Sequence, residues 1–245
     1  MLIFLIFLST SFSFTVQVMR FKRDFMYVTD GNETDAKCFE TCQSEFKAKF
    51  EYTFNQSLDE FYDFPFHPIV LQQSSLQPYC TLSEKKILCF SEKCNDYTAD
   101  TSFSPSNFVC SFKRGLFDKS IKCLSQTEPI TFLKCDHECH VDSERLQEFV
   151  PSKLETYEKE LDKLCRFQTC YMKCMKPIVK EMCTDDDSQS AIDVVESYVQ
   201  WHADDISDWH AMTGNEELLP KSCRDLVKTP RKSSDPVLQL ISEVK

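Results

Sequence analysis

Glycine is almost missing from this sequence. It has 3 glycines in 245 residues, where average usage of about 7% gives roughly 17. Tight hairpin turns draw on glycine for positive φ, so the shortage argues for helices and against a β-sandwich or barrel. Gly31, Gly115 and Gly214 lie too far apart to form a phosphate-cradling loop or a nucleophile elbow. Histidine is also scarce, at 5 residues, and no serine or cysteine sits in a recognisable nucleophile context. Positive charge falls well short of negative, and the net charge of −11 would repel a phosphate backbone, which excludes nucleic acid as the expected partner. Beyond the first residues no apolar run is long enough for a membrane span.

The N-terminus reads "MLIFLIFL" followed by "STSFSF". The run is too short to cross a bilayer but matches a secretory h-region, and Ser11 and Ser13 offer small residues for cleavage. We expect a signal peptide over 1–13, although no Lys or Arg precedes the run. Residues 14–34 include "RFKR" at 20–23, a candidate site for furin-like processing. Asn32 ("NET") and Asn55 ("NQS") are candidate glycosylation sites in a secreted chain.

The chain is rich in cysteine instead. It has 14: Cys38, Cys42, Cys80, Cys89, Cys94, Cys110, Cys123, Cys135, Cys139, Cys165, Cys170, Cys174, Cys183 and Cys223. The even number allows complete pairing, and this density belongs to an oxidising compartment. A division between Cys110 and Cys123 leaves six and eight, which suits two self-contained modules. A faint repeat points the same way: "KCFETC" matches "KCDHEC", and "LCFSEKC" resembles "LCRFQTC". We expect a Cys-rich module over 35–109, a second over 110–225 and a polar tail over 226–245.

Periodicity supplies the helices. Cys38, Cys42, Phe46, Phe50 and Phe54 recur every four residues, predicting a helix over 35–62. The three prolines of 63–80 predict a loop, 82–94 a short helix, 98–107 a loop and 108–123 another helix. A helix should start at Pro151, with Leu154, Tyr157, Leu161, Leu164 and Cys165 inward and Glu155, Glu158, Glu160, Asp162 and Lys163 in water. Pro177 should end or kink it near Lys176. A last amphipathic helix covers 189–210, with Ile192, Val195, Val199, Ile206 and Trp209 inward.

"KCDHECH" at 134–140 could be read as a metal site built from Cys135, His137, Cys139 and His140. On a helix, however, His137 points away from the face shared by Cys135 and Cys139, and zinc prefers a distant second ligand pair. Cys170 and Cys174 repeat the i, i+4 spacing. Two antiparallel helices could then be joined by nested bridges, Cys135–Cys174 and Cys139–Cys170. "WHADDISDWHA" at 201–211 places His202 and His210 near Asp204, Asp205 and Asp208, a conceivable acid/base set, but it reads better as an amphipathic helix. Lys173, Lys176 and Lys180 could share a face toward an acidic polysaccharide or simply face water. "TDDDS" at 184–188 lacks the spaced ligands of a calcium loop and reads as a helix start.

From Cys123 to Cys223 the frame is C-x11-C-x3-C-x25-C-x4-C-x3-C-x8-C-x39-C. It holds "CRFQTCYMKCMKPIVKEMC" and closes on "LLPKSCRDL". Over 110–225 this resembles the nematode secreted domain named after chondroitin proteoglycan 4, and a related nematode family of Cys-rich domains. The resemblance implies an extracellular, helical, disulfide-rich module without established catalytic residues, and for the founding member a chondroitin-bearing protein of the egg matrix. Chondroitin is typically attached at Ser-Gly, and this chain has no Ser-Gly dipeptide.

The expectation is an all-α, disulfide-rich protein of antiparallel helical hairpins or a bundle, secreted and non-enzymatic, with no catalytic, cofactor-binding or metal-ligating residue assigned. Its expected partner is an extracellular protein or glycan. The alternatives are a secreted effector or inhibitor of a host or tissue protein and, third, a hydrolase using His202 and His210.

Overall fold

The computed structural model describes residues 33–62, 64–96, 104–147 and 156–227. The leader, the RFKR segment, Asn32, most of the 98–107 segment, the start expected at Pro151 and most of the tail lie outside them. The described residues are helical and contain no strand. In chain order the helices are α1 (Glu33–Phe54), α2 (Pro68–Leu71), α3 (Gln73–Cys94), α4 (Pro105–Asn107), α5 (Arg114–Thr131), α6 (His137–Gln147), α7 (Thr156–Met182), α8 (Asp185–Met212) and α9 (Lys221–Arg224). A π-helical turn, Phe132–Asp136, carries α5 into α6.

Asparagine does much of the work of the missing glycines. Asn55 follows α1 with φ 51°, and Asn95 caps α3 with φ 55°. Asparagine tolerates the left-handed region better than other side chains. Among the described residues, only α8 is followed by a glycine at its C-terminus. There Gly214 takes φ 69°, and the next N–H, from Asn215, reaches back to the His210 carbonyl at 2.9 Å.

All fourteen cysteines are bridged. Cys38–Cys94 and Cys42–Cys89 clamp α1 to α3, and Cys80–Cys110 ties α3 to the turn after α4. Cys135–Cys174 and Cys139–Cys170 are nested between the α6 arm and α7. Cys123–Cys183 joins α5 to the end of α7, and Cys165–Cys223 joins α7 to α9. Every bridge therefore falls within Cys38–Cys110 or within Cys123–Cys223. Cys80–Cys110 crosses the expected division at 109/110 and places Cys110 with the upstream set.

The two bridge sets share one core. The segment expected to be a loop at 63–80 is what joins them. Pro68 opens α2, with His67 as N-cap, and the expected short helix at 82–94 starts earlier, at Gln73. A proline in the first turn costs nothing, because its missing N–H has no helical partner to lose. Pro78 lies inside α3, whose Leu76, Tyr79 and Cys80 are buried. From this segment Phe66 packs edge-on against Phe117 at 4.9 Å and Tyr198 at 5.4 Å. Phe64 meets Tyr171 at 5.2 Å and stacks on Tyr198 at 5.4 Å. Tyr62 donates to Glu128 at 3.0 Å across to α5. Burial, reinforced by that carboxylate, pushes the Tyr62 phenol far above its ordinary range.

The expected helix at 108–123 is a π-helical turn, Phe108–Phe112, followed by α5. α7 runs straight through Pro177 to Met182. A proline inside a helix costs about 3 kcal/mol. Here Ile178 and Val179 are buried just beyond it, and Cys183 is bridged to Cys123. That packing holds the turn the proline would otherwise end. α7 and α8 then form a hairpin in which Thr184 accepts from the Asp187 N–H as N-cap, and Asp185, Asp186 and Asp187 fill the positive first turn of α8. "TDDDS" is thus a helix start.

Candidate functional site

α6, α7 and α9 line an open surface groove of about 580 Å³. The bridges set its walls. Cys139–Cys170 and Cys135–Cys174 hold α6 along α7, and Cys165–Cys223 pins the short α9 over the N-terminal half of α7. Glu138 and Asp142 come from α6, Arg166 and Lys173 from α7, and Lys221 from α9, with Asp225 just beyond it.

Beneath this rim lies a buried carboxylate. Asp162 accepts from Arg166 Nε at 2.7 Å and from Ser222 Oγ at 2.6 Å, and only 3% of it is exposed. One turn earlier Glu158 is 5% exposed, and its Oε2 has no hydrogen-bond partner among the described residues. Both were expected in water. Asp162 is buried because α9, held by Cys223, folds over it and Ser222 supplies a donor. The Asp162–Arg166 spacing is the usual i, i+4 ion pair, but sequence gives no sign of the covering helix.

Lys221 is paired with Asp225 at 2.5 Å. Acidic side chains stand on the α6 wall and basic ones on the α7 wall, so the groove presents both signs of charge. Such a surface suits salt-bridging recognition, with specificity set by where each charge falls.

The other candidate residues lie elsewhere. Cys135 and Cys139 are consumed in bridges, so "KCDHECH" has no thiolate to offer a metal. His137 is exposed. His140 lies 3.4 Å from the Asp136 carboxylate and against the Phe167 ring at 4.5 Å. The hydrogen bond that its ring N–H donates to Asp136 raises its pKa against the opposing effect of burial. His202 and His210 are buried in α8. The Gln168 amide lies 3.0 Å from His202 Nδ1, and His210 Nδ1 donates to the Ile206 carbonyl at 2.8 Å. Lys173 lines the groove, but Lys176 is tied to Glu196 at 2.5 Å, so Lys173, Lys176 and Lys180 do not form one free basic face. Asn55 is exposed immediately after α1.

The match that places the chain is to a family model described as uncharacterized protein B0403.3, over residues 38–243. This chain belongs to that family. The match takes in every cysteine from Cys38 to Cys223, so it covers both bridge sets. A Caenorhabditis elegans relative described as uncharacterized protein B0403.3 is 27% identical over 172 residues, covering 66% of this chain and 63% of the relative. The chain therefore spans less than two thirds of that relative's length. No solved structure matches, and no helix among the described residues is long and apolar enough to cross a membrane.

Proposed function

We propose that this B0403.3-family chain is a secreted, non-enzymatic recognition protein that binds an extracellular protein or glycan through the α6–α7–α9 groove. The observation that carries the reading is complete cysteine pairing into seven bridges. A framework of that kind forms and persists in an oxidising compartment. It also fixes the groove walls, so that little ordering is left to be done on binding. The cysteine frame's resemblance to the chondroitin proteoglycan 4 domain supports an extracellular setting. The exposed Asn55 turn is a site where a glycan could be carried without disturbing the core.

The test is expression of the full chain with its own N-terminus in a secretory animal cell. We expect the protein in the medium and matrix, without alkylatable thiols, and with a mass that falls on glycosidase treatment and falls less after Asn55→Gln. Retention in the cytosol with free thiols would overturn the secreted reading. For the groove, the Glu138→Lys, Lys173→Glu pair should cut retention on the cell-laid matrix about tenfold. Unchanged retention removes the groove from the proposal. Wild-type protein found wholly in the medium favours an effector or inhibitor acting at a distance.

A further inference from the structure

The two nested clamps differ in one respect. In the α6–α7 clamp the cysteines are four residues apart on both arms, a spacing of about 40° around an ideal α-helix, with Cys135 in the π-helical turn that leads into α6. In the α1–α3 clamp, Cys38 and Cys42 are also four apart, but Cys89 and Cys94 are five apart, which turns the second sulfur about 140°. The rungs are therefore skewed. Cys42 Sγ and Cys94 Sγ, which belong to different bridges, lie 3.9 Å apart. The sulfurs of Cys38, Cys42 and Cys94 all fall within 4.8 Å of one another. All are bridged, so the cluster offers no thiolate to a metal.

Accessibility is divided within each bridge. Cys42 is 1% exposed and Cys94 9%, whereas Cys38 and Cys89 are half-buried. Each bridge thus joins a half-buried cysteine to a buried one, and the sulfurs of the two buried cysteines are the neighbours. We propose that this cluster is a thiol–disulfide exchange site whose substrate is an external dithiol.

Exchange proceeds by thiolate attack on the accessible sulfur of a disulfide. Attack on Cys38 breaks Cys38–Cys94, forms a mixed disulfide at Cys38 and releases the Cys94 thiolate. Cys94 then attacks Cys42, breaks Cys42–Cys89, forms Cys42–Cys94 and releases the Cys89 thiolate. The second thiol of the dithiol resolves the mixed disulfide at Cys38 and leaves as its own disulfide. The reductant gives up two electrons and two protons. The protein exchanges two bridges for one, Cys42–Cys94, with thiols at Cys38 and Cys89. Entry at Cys89 frees Cys42, which attacks Cys94 and expels Cys38, so both routes reach the same product. That product puts the new bridge inside and leaves the two thiols at the more accessible positions.

The test is limited reduction of the folded, fully oxidised full chain with dithiothreitol, followed by acid quench, maleimide labelling and peptide mapping. We expect equal labels on Cys38 and Cys89 and a new peptide pair joined through Cys42–Cys94. Labels on Cys38 and Cys94 with Cys42–Cys89 intact would overturn the proposal, as would labels on Cys42 and Cys89 with Cys38–Cys94 intact. So would reduction that opens neither bridge before the helical circular dichroism signal is lost.

Discussion

At the residue scale, two histidines make opposite demands on pH. His67 caps α2 through Nδ1, which accepts from the Ile69 N–H at 3.2 Å, and its ring packs against Phe61 at 4.9 Å and Tyr62 at 4.6 Å. Burial lowers its pKa from 6.5 to about 4. The unfolded chain therefore takes up this proton before the folded one does. The contribution of neutral His67 is complete above about pH 6.5 and drains away as pH falls toward about 4. The loss is on the order of 2–3 kcal/mol. His140 runs the other way. Its pKa is raised by Asp136, so its contribution is full below the ordinary histidine value and is lost as pH rises through the raised one. His67→Asn keeps an acceptor near the position of Nδ1 but cannot titrate in this range. Urea midpoints at pH 7.5 and 4.5 should show a smaller acid loss in His67→Asn than in wild type. An equal loss in both would remove His67 as the cause.

Asp162 makes a second prediction at this scale. Its carboxylate accepts from Arg166 and Ser222, and Ser222→Ala removes a hydrogen bond to a charged, buried group, worth about 1.5–3 kcal/mol. Hydrogen exchange should show that loss first over α9 and the facing turn of α7. Unchanged protection there would mean that Cys165–Cys223 alone seats α9.

At the scale of elements, nested bridges should not contribute additively. With Cys135–Cys174 in place, Cys139–Cys170 closes a loop whose ends are already partly constrained, and the reverse also holds. Loop-closure entropy then gives about 2–3 kcal/mol for whichever bridge is removed first and about 4 kcal/mol for the second. Alanine pairs at each bridge and at both, compared by urea midpoints, read this directly. A first removal that costs as much as the second would count against the loop-closure account. This clamp was legible in the sequence, because i, i+4 cysteines share a helix face and two such pairs fit antiparallel helices. Other elements were not. Prolines suggested a break at 63–80 and at Pro177, yet Pro68 stands in a first turn and the turn after Pro177 is held by Val179 and the Cys123–Cys183 bridge. Glu158 and Asp162 read as wet because the helix that covers Asp162 comes from about sixty residues further on. The groove was invisible for the same reason, since its walls come from α6, α7 and α9.

At the scale of the whole molecule, covalent and non-covalent organisation diverge. Bridges divide the chain at the stretch between Cys110 and Cys123. The core ignores that division, because Phe64 and Phe66 reach Phe117, Tyr171 and Tyr198 on the other side. Two modules joined only by a linker would unfold separately, whereas modules sharing a core should unfold together. Phe66 is 4% exposed, and Phe66→Ala should cost about 3–5 kcal/mol. The informative quantity is where that cost appears. If the shared core governs, calorimetry of wild type and variant should each show one transition, and hydrogen exchange in Phe66→Ala should accelerate in α1–α3 and in α5–α8 alike. If acceleration stays within α1–α3 and a second transition emerges, the bridge sets fold as independent units. The aromatic contacts would then be an interface between two modules, and the internal repeat of the sequence would describe the energetics as well as the cysteines.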